Sequence, residues 1–407
     1  MIFVGNDWAE THHDVWVMDE TGDQLAYRCL SEGIEGVSEF HGLVGGFVSD
    51  PSQVVVGIET DRGLWVNALV AVGYQVYVIN PFAASRYRDR HHISGAKSDR
   101  GDARMLADLV RTDRHLHRQV AGDTPLADAV KVTARTHQTM VWEKRRHTNR
   151  LRSMLREYYP AALEAFPDLA HHDAIAVLTA APTPAIGARL TIPKIRAALK
   201  KGGRQRNVER RADEIQTMLR TPHLTTSETL SQGFGTAAAA TLAIIATIDD
   251  QISELETALA EAFGAHPDAA IYLSMPGLAD VLGARILGEF GDDPNRYTDA
   301  KSRRNYAATS PLTRASGNHK TVHARYIRND RLHDAVKRWA FTSLNASEGC
   351  RAFYDERRAK GDTHNKALRA LSNRLVGILD GCLKHRALYD EDTAWAHRQP
   401  AIETIAA

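Results

Sequence analysis

Cysteine is scarce in these 407 residues, and the scarcity excludes a good deal. Cys29, Cys350 and Cys382 lie far apart with no paired spacing, so the sequence offers neither a disulfide framework nor a zinc motif, and a reducing compartment is expected. Long apolar runs are missing too. No stretch approaches the roughly 18 residues needed to span a bilayer, and Met1 runs straight into Ile2-Phe3-Val4-Gly5 without the basic and apolar segments of an export leader. No export and no membrane are expected. A net excess of either charge is absent, since 51 Lys or Arg face 50 Asp or Glu, yet the balance is not local. The histidine pairs His12-His13, His91-His92 and His171-His172 lack a ligand spacing to cysteines or acids, and read as surface or phosphate-contacting residues.

What is present fills two or three cores at about 100–200 residues per domain. Residues 2–7, 13–19 and 24–30 read as strands, the first pair joined through the turn Glu20-Thr21-Gly22-Asp23 to the third, and residues 33–48 have helical periodicity. Residues 54–59 form a continuous apolar run, the appearance of a strand buried on both faces; a helix at 64–72 and a strand at 75–80 follow. With a helix running through Leu109, the order is βββαβαβα, that of a ribonuclease-H-like (RuvC-like) α/β domain over residues 1–120. Trp8 and Trp65 read as its core residues.

Residues 121–265 read as a helical, coiled-coil linker. A long helix at 125–159 carries eight basic residues between Lys131 and Arg156 against the single acid Glu143, enough to lie along phosphates; Arg145, Arg146 and Arg150 are its candidate contacts. Residues 180–235 hold Pro182, Pro184, Pro193 and a basic run, and are expected to be a helical insertion with loops. Ile244, Ile248, Ile252, Leu255 and Leu259 then recur at spacings of three and four, the apolar seam of a coiled coil. A mainly helical domain is expected over 270–390, followed by a tail at 391–407. Within it, residues 301–345 hold ten Lys or Arg against two acids, a nucleic-acid footprint.

Asp7 ends the first strand and Glu59 the buried fourth. Asp99 and Asp102 stand three apart at a helix start, where both point to one face, and Asp99 also reads as an N-cap after Ser98. Carboxylates from three elements can thus converge. Hard oxygen ligands in such a cluster suit Mg²⁺, with Mn²⁺ as a substitute, and two such ions stabilise both attacking and leaving oxygens of a phosphoryl transfer.

The stretches Gly5-Asn6-Asp7, His13-Asp14-Val15, Val56-Gly57-Ile58-Glu59-Thr60, Val76-Tyr77-Val78-Ile79-Asn80-Pro81 and Lys97-Ser98-Asp99-Arg100-Gly101-Asp102-Ala103 resemble the DEDD transposases and Piv-like DNA invertases, a group that includes bridge-RNA-guided insertion-sequence transposases. The resemblance continues through Ser274-Met275-Pro276-Gly277-Leu278, which looks like a helix-hairpin-helix turn, and through Leu287-Gly288-Glu289-Phe290-Gly291-Asp292 and Phe353-Tyr354. It implies metal-ligand roles for Asp7, Glu59, Asp99 and Asp102. It also implies a serine nucleophile a few residues beyond a proline, which in Ser310-Pro311-Leu312-Thr313-Arg314-Ala315-Ser316-Gly317 falls on Ser316, with Arg314, Lys320, Arg325 and Arg328 nearby to offset phosphate charge.

The expectation is a transposase or site-specific recombinase that joins donor and target DNA through a phosphoserine. By resemblance it works with a structured guide RNA, as a homodimer or homotetramer, at the nucleoid of a prokaryotic cytoplasm. A metal-dependent nuclease that cuts by hydrolysis, and a non-catalytic DNA-binding protein, are the alternatives. The sequence departs from the family pattern at Asn6, where an apolar residue is usual, at Thr60-Asp61-Arg62-Gly63-Leu64-Trp65, at Ser310 and in its long insertion.

Overall fold

The computed structural model describes residues 1–91, 98–120, 122–317, 319–326 and 328–396; of the features named above, Lys97, His92 and the tail beyond 396 lie outside them. The chain divides into two compact units, Met1–Asp123 and Thr124–Ala407.

The first unit is built on strands β1 (Ile2–Trp8), β2 (His12–Met18), β3 (Gln24–Ser31), β4 (Val54–Ile58), β5 (Gln75–Val78) and β6 (Arg118–Gln119), in the order β3-β2-β1-β4-β5-β6. The first three are antiparallel, β1-β4-β5 run parallel and β6 closes the edge antiparallel. Helices α1 (Ile34–Gly45) and α2 (Leu64–Val72) follow β3 and β4, and α3 (Pro81–His91) and α4 (Asp99–Asp113) follow β5. Strand and helix order thus match the ribonuclease-H-like expectation, with α3 and β6 in addition. Period-2 alternation sorts the side chains. Ile2, Val4, Val15, Val17, Val54, Val56 and Ile58 pack with Phe40 of α1 and Trp65, Val66 and Leu69 of α2. Phe3, Trp16, Met18 and Val55 face Ala84 of α3 and Ala103, Leu106, Ala107 and Val110 of α4.

The second unit is organised by α5 (Pro125–Tyr158) and the insertion helices α6 (Pro160–Ala165), α7 (His172–Ala180), α8 (Pro184–Ala188), α9 (Ile192–Lys201) and α10 (Val208–Leu219), then α11 (Glu228–Gly264). Pro184 and Pro193 sit in the first turns of α8 and α9, where a missing N–H costs nothing. The pairs His137–Glu256 and Lys144–Asp249 set α5 and α11 antiparallel. Buried residues recur at heptad spacing on both: Ala127, Val130, Ala134, His137, Leu151, Leu155 and Tyr158 on α5, and Leu242, Ile245, Ile252, Leu259 and Phe263 on α11.

Ile252 and Leu259 of the expected seam are buried, but Ile244 is not, being 44 % exposed. Asp249 and Glu256 occupy seam positions of the heptad and pair with Lys144 and His137 instead of packing as aliphatics. Among the described residues α11 is a helix long and apolar enough to cross a membrane by length and composition, contrary to the expectation from apolar runs; its heptad residues are packed against α5.

One end of the α5–α11 pair shares a core with the insertion helices through Leu151, Leu155, Leu242 and Ile245. The other end, through Val130, Ala134, Leu259 and Phe263, shares one with the C-terminal elements: α12 (Ala269–Ser274), α13 (Asp280–Phe290), α14 (Ala300–Tyr306), the hairpin β7 (Leu312–Ser316) and β8 (His319–His323), α15 (Asp330–Ser343), α16 (Glu348–Ala359), α17 (His364–His385) and α18 (Glu391–Trp395). The Pro276-Gly277 turn between α12 and α13 is packed on α15, where Trp339 Nε1 donates to the Pro276 carbonyl at 3.0 Å and Thr342 Oγ1 to that of Gly277 at 2.8 Å.

Candidate active site

Residues 3, 5 and 7 of β1 share the face that α4 covers. Gly5 and Gly57 lie side by side in register, and each takes the helix backbone where a Cβ would otherwise stand: 1.8 Å from the Ala103 carbonyl oxygen at Gly5, and 2.7 Å from that of Leu106 at Gly57. The close approach seats the first turn of α4 over the ends of β1 and β4. Ser98 is the N-cap, its Oγ accepting from Gly101 N–H at 3.1 Å, so Asp99 is not the cap that its position suggested and its carboxylate is not spent on capping.

Glu59, Asp99 and Asp102 are thereby brought into electrostatic range of Asp7. The Asp7 carboxyl is pushed up to about 6 by burial, then by the charges of Asp102, Glu59 and Asp99, with Asp14 contributing least. Asp102 is 7 % exposed and accepts from Arg88 Nη2 of α3 at 2.6 Å. Tyr87, beside it, ties α3 to α4 by donating to Asp108 at 2.6 Å. Sequence reasoning missed Arg88, because the helix that carries it was not anticipated. An all-carboxylate donor set whose central acid resists ionisation fits a divalent cation.

The other face of β1 explains Asn6. Fully buried, it accepts from Trp65 Nε1 at 3.0 Å and its amide donates to His13 Nδ1 at 3.0 Å, while His13 Nε2 meets Glu32 at 2.5 Å and its ring stacks on Trp65 at 3.7 Å. The polar residue at a usually apolar position is therefore satisfied. Two expectations are corrected here: His13 is interior rather than surface, and Trp8, 51 % exposed, is not core as Trp65 is.

In the second unit Ser316 ends β7 at the tip of an exposed hairpin, opposite His319 and before Gly317, whose φ of +54° turns the chain. Arg314 lies two residues back on the same face of the ribbon; Lys320 pairs with Ala315 and so belongs to the opposite face. Arg325 braces the hairpin base, donating to the Ser310 carbonyl at 3.3 Å and to Asn305 at 3.1 Å, and Arg328 pairs with Asp330 at 3.0 Å. On α5, Arg145, Arg146 and Arg150 are exposed, Arg146 being paired with Glu143.

A ribonuclease-H-like-type sheet with clustered acids defines a class of metal-dependent nucleic-acid enzymes, and comparison with known proteins narrows it. Residues 4–160 match the DEDD transposase family model, and residues 269–355 match that of the IS116/IS110/IS902 transposases. The chain is 42% identical over 400 residues, 97% of either chain, to the candidate mini-circle transposase for IS117 of Streptomyces coelicolor. It is 26% identical over 412 residues to an IS900 insertion-element protein of 42 kDa from Mycobacterium paratuberculosis, covering 97% of this chain and 98% of that one. The chain belongs to the IS116/IS110/IS902 transposase family and is a DNA transposase.

Proposed function

We propose that this transposase joins donor and target DNA through a phosphoserine at Ser316, assisted by the four acids. In the first step Ser316 Oγ attacks a backbone phosphorus. The serine O–P bond forms as the bond from phosphorus to a deoxyribose oxygen breaks; the serine gives up its proton and the freed sugar oxygen gains one. A hydroxyl of the second DNA then attacks the phosphoserine, restoring both the serine and a phosphodiester. One ester is exchanged for another twice, so no ATP is needed. Arg314, on the serine's face of the hairpin, offsets the charge that builds on the phosphate oxygens. Mg²⁺, or Mn²⁺ in its place, would be held by Asp7, Glu59, Asp99 and Asp102, where it supplies charge neutralisation at the phosphate.

The observation that supports this reading is that Asp7 lies within electrostatic reach of Asp102, Glu59 and Asp99, its carboxyl pushed up to about 6 by burial and by their charge. The acids and the serine belong to different units, and the enzyme acts as a homodimer or homotetramer. The heptad-spaced α5–α11 pair is the arm for such assembly. A structured guide RNA lies along Arg145, Arg146 and Arg150, and the reaction takes place at the bacterial nucleoid.

Covalent trapping tests the proposal. Protein, Mg²⁺, labelled DNA spanning the element ends and RNA transcribed from its flanks are mixed, denatured and resolved. Label should migrate with wild-type protein and be absent with Ser316→Ala and with Asp102→Ala. Cleaved DNA free of protein would instead identify a hydrolytic nuclease and reduce Ser316 to a phosphate contact.

A further inference from the structure

One strand away from Asp7, on the same face of the sheet, three potential ligands of a different kind come together. Asp14 is the register partner of Asp7 on β2, and Cys29 the register partner of Asp14 on β3. His12 precedes Asp14 by two residues and shares its face. The ligand atoms of His12, Asp14 and Cys29 all lie within 4.8 Å of one another. His12 Nε2 and Asp14 Oδ2 are 3.6 Å apart, close to the ~3.3 Å that separates two ligands held about 2.0 Å from one tetrahedral ion. We propose that His12, Asp14 and Cys29 bind a divalent transition metal of the zinc class.

Groups outside the triad orient it. Thr11 Oγ1 holds His12 Nδ1 at 3.2 Å, which leaves Nε2 for the metal, and the Tyr27 hydroxyl donates to Asp14 Oδ1, which leaves Oδ2 beside His12 Nε2. Asp14 is only 6 % exposed, so its carboxylate is committed to this spot. Supporting hydrogen bonds of this kind fix the ligands of metal sites. The chemistry of the donors separates this site from its neighbour. Sulfur, nitrogen and oxygen together favour Zn²⁺ or Co²⁺, whereas the all-oxygen quartet favours a hard ion. Three protein ligands leave a fourth position for water. On binding, the Cys29 S–H proton leaves to solvent as the S–metal bond forms. No ligand spacing marks these residues in the sequence, because β-sheet register, not local spacing, assembles the triad. The inference does not depend on the phosphoserine reaction.

The test is a Co²⁺ titration of the full chain, stripped of metal and kept in excess Mg²⁺ to fill the hard site. Wild type should develop a near-ultraviolet thiolate-to-cobalt band that Zn²⁺ abolishes. Cys29→Ser should lose the band while Cys350→Ser/Cys382→Ser keeps it, and Tyr27→Phe should weaken affinity by roughly 10- to 100-fold. No band in wild type, or an undiminished one in Cys29→Ser, overturns the proposal. Alkylation of unaltered protein guards against a variant that fails to fold: Zn²⁺ should slow modification of Cys29, and equal rates with and without Zn²⁺ overturn the proposal.

Discussion

The Cα of Gly5 faces the carbonyl oxygen of Ala103, and any Cβ there would lie 1.8 Å from it. The contact is backbone against backbone, so no rotamer change relieves it. Gly5→Ala must push α4 off the sheet, and with it Asp99 and Asp102 away from Asp7. The substitution is expected to destabilise the first unit by about 3 kcal/mol and to abolish DNA joining. Thermal unfolding and the trapping assay report the two effects; a variant with unchanged melting temperature would show that the helix does not sit this close.

Asp7 makes the metal-free protein sensitive to pH in a definite direction. Its carboxyl moves from an ordinary 3.8 to about 6 in the folded state, so between these values the folded chain binds more protons than the unfolded one. The group's contribution to stability is therefore lost as pH rises through that window. Metal-free protein should melt lower at pH 7 than at pH 5. Asp7→Asn should flatten that dependence, and should also remove the stabilisation that Mg²⁺ gives the wild type at pH 7. Melting curves with and without Mg²⁺ measure both.

Much of the first unit was legible because its signals are local. The uninterrupted run of β4 announces a central strand, and the two acids three apart announce one face of a helix. The glycines at 5 and 57 carried no such signal, since the backbone they make room for, at Ala103 and Leu106, comes from a helix far along the chain rather than from their neighbours. Ile252 and Leu259 of the α5–α11 seam were legible, but the rest of the seam was not, because an ion-pair layer, Lys144–Asp249, looks polar until the partner helix is in place. Ser316 was legible only through family likeness, since an exposed Ser-Gly at a hairpin tip is indistinguishable in sequence from an ordinary turn.

The hairpin separates two basic residues that the sequence groups together. Arg314 shares the face of Ser316, and Lys320 lies on the other. Arg314→Ala should reduce the rate of covalent intermediate formation by about 100-fold or more, the usual loss when a charge-stabilising donor is removed. Lys320→Ala should leave that rate within a few-fold and act mainly on DNA affinity at higher salt. Equal losses from both substitutions would argue that neither has a directed role.

Lys144 and Asp249 occupy facing positions in the helix pair, with side chains 21% and 16% exposed. Removing one charge strands the other, so Asp249→Leu should destabilise the second unit by about 2 kcal/mol, less than for a fully buried pair. The double substitution Lys144→Leu/Asp249→Leu restores an apolar layer and should recover that loss or exceed it. Denaturant midpoints of the single and double variants decide the matter: additive losses would mean that the pair does not interact.

The basic residues of α5 divide by direction. Arg135 is turned inward, donating to both carboxylate oxygens of Glu289 at 2.7 and 2.9 Å, while Arg145 and Arg150 are exposed and have no ion pair among the described residues. A guanidinium that neutralises a phosphate releases a counterion, and each such contact contributes roughly 0.7–0.9 to the slope of log affinity against log salt. Arg145→Gln and Arg150→Gln should each lower that slope for RNA by about this amount while leaving the melting temperature alone. Arg135→Gln should do the reverse, because Glu289, 4 % exposed, would lose its guanidinium partner and keep only the Asn329 amide. If Arg145→Gln and Arg150→Gln leave the slope unchanged, the outer face of α5 is a solvated surface and the nucleic acid lies elsewhere.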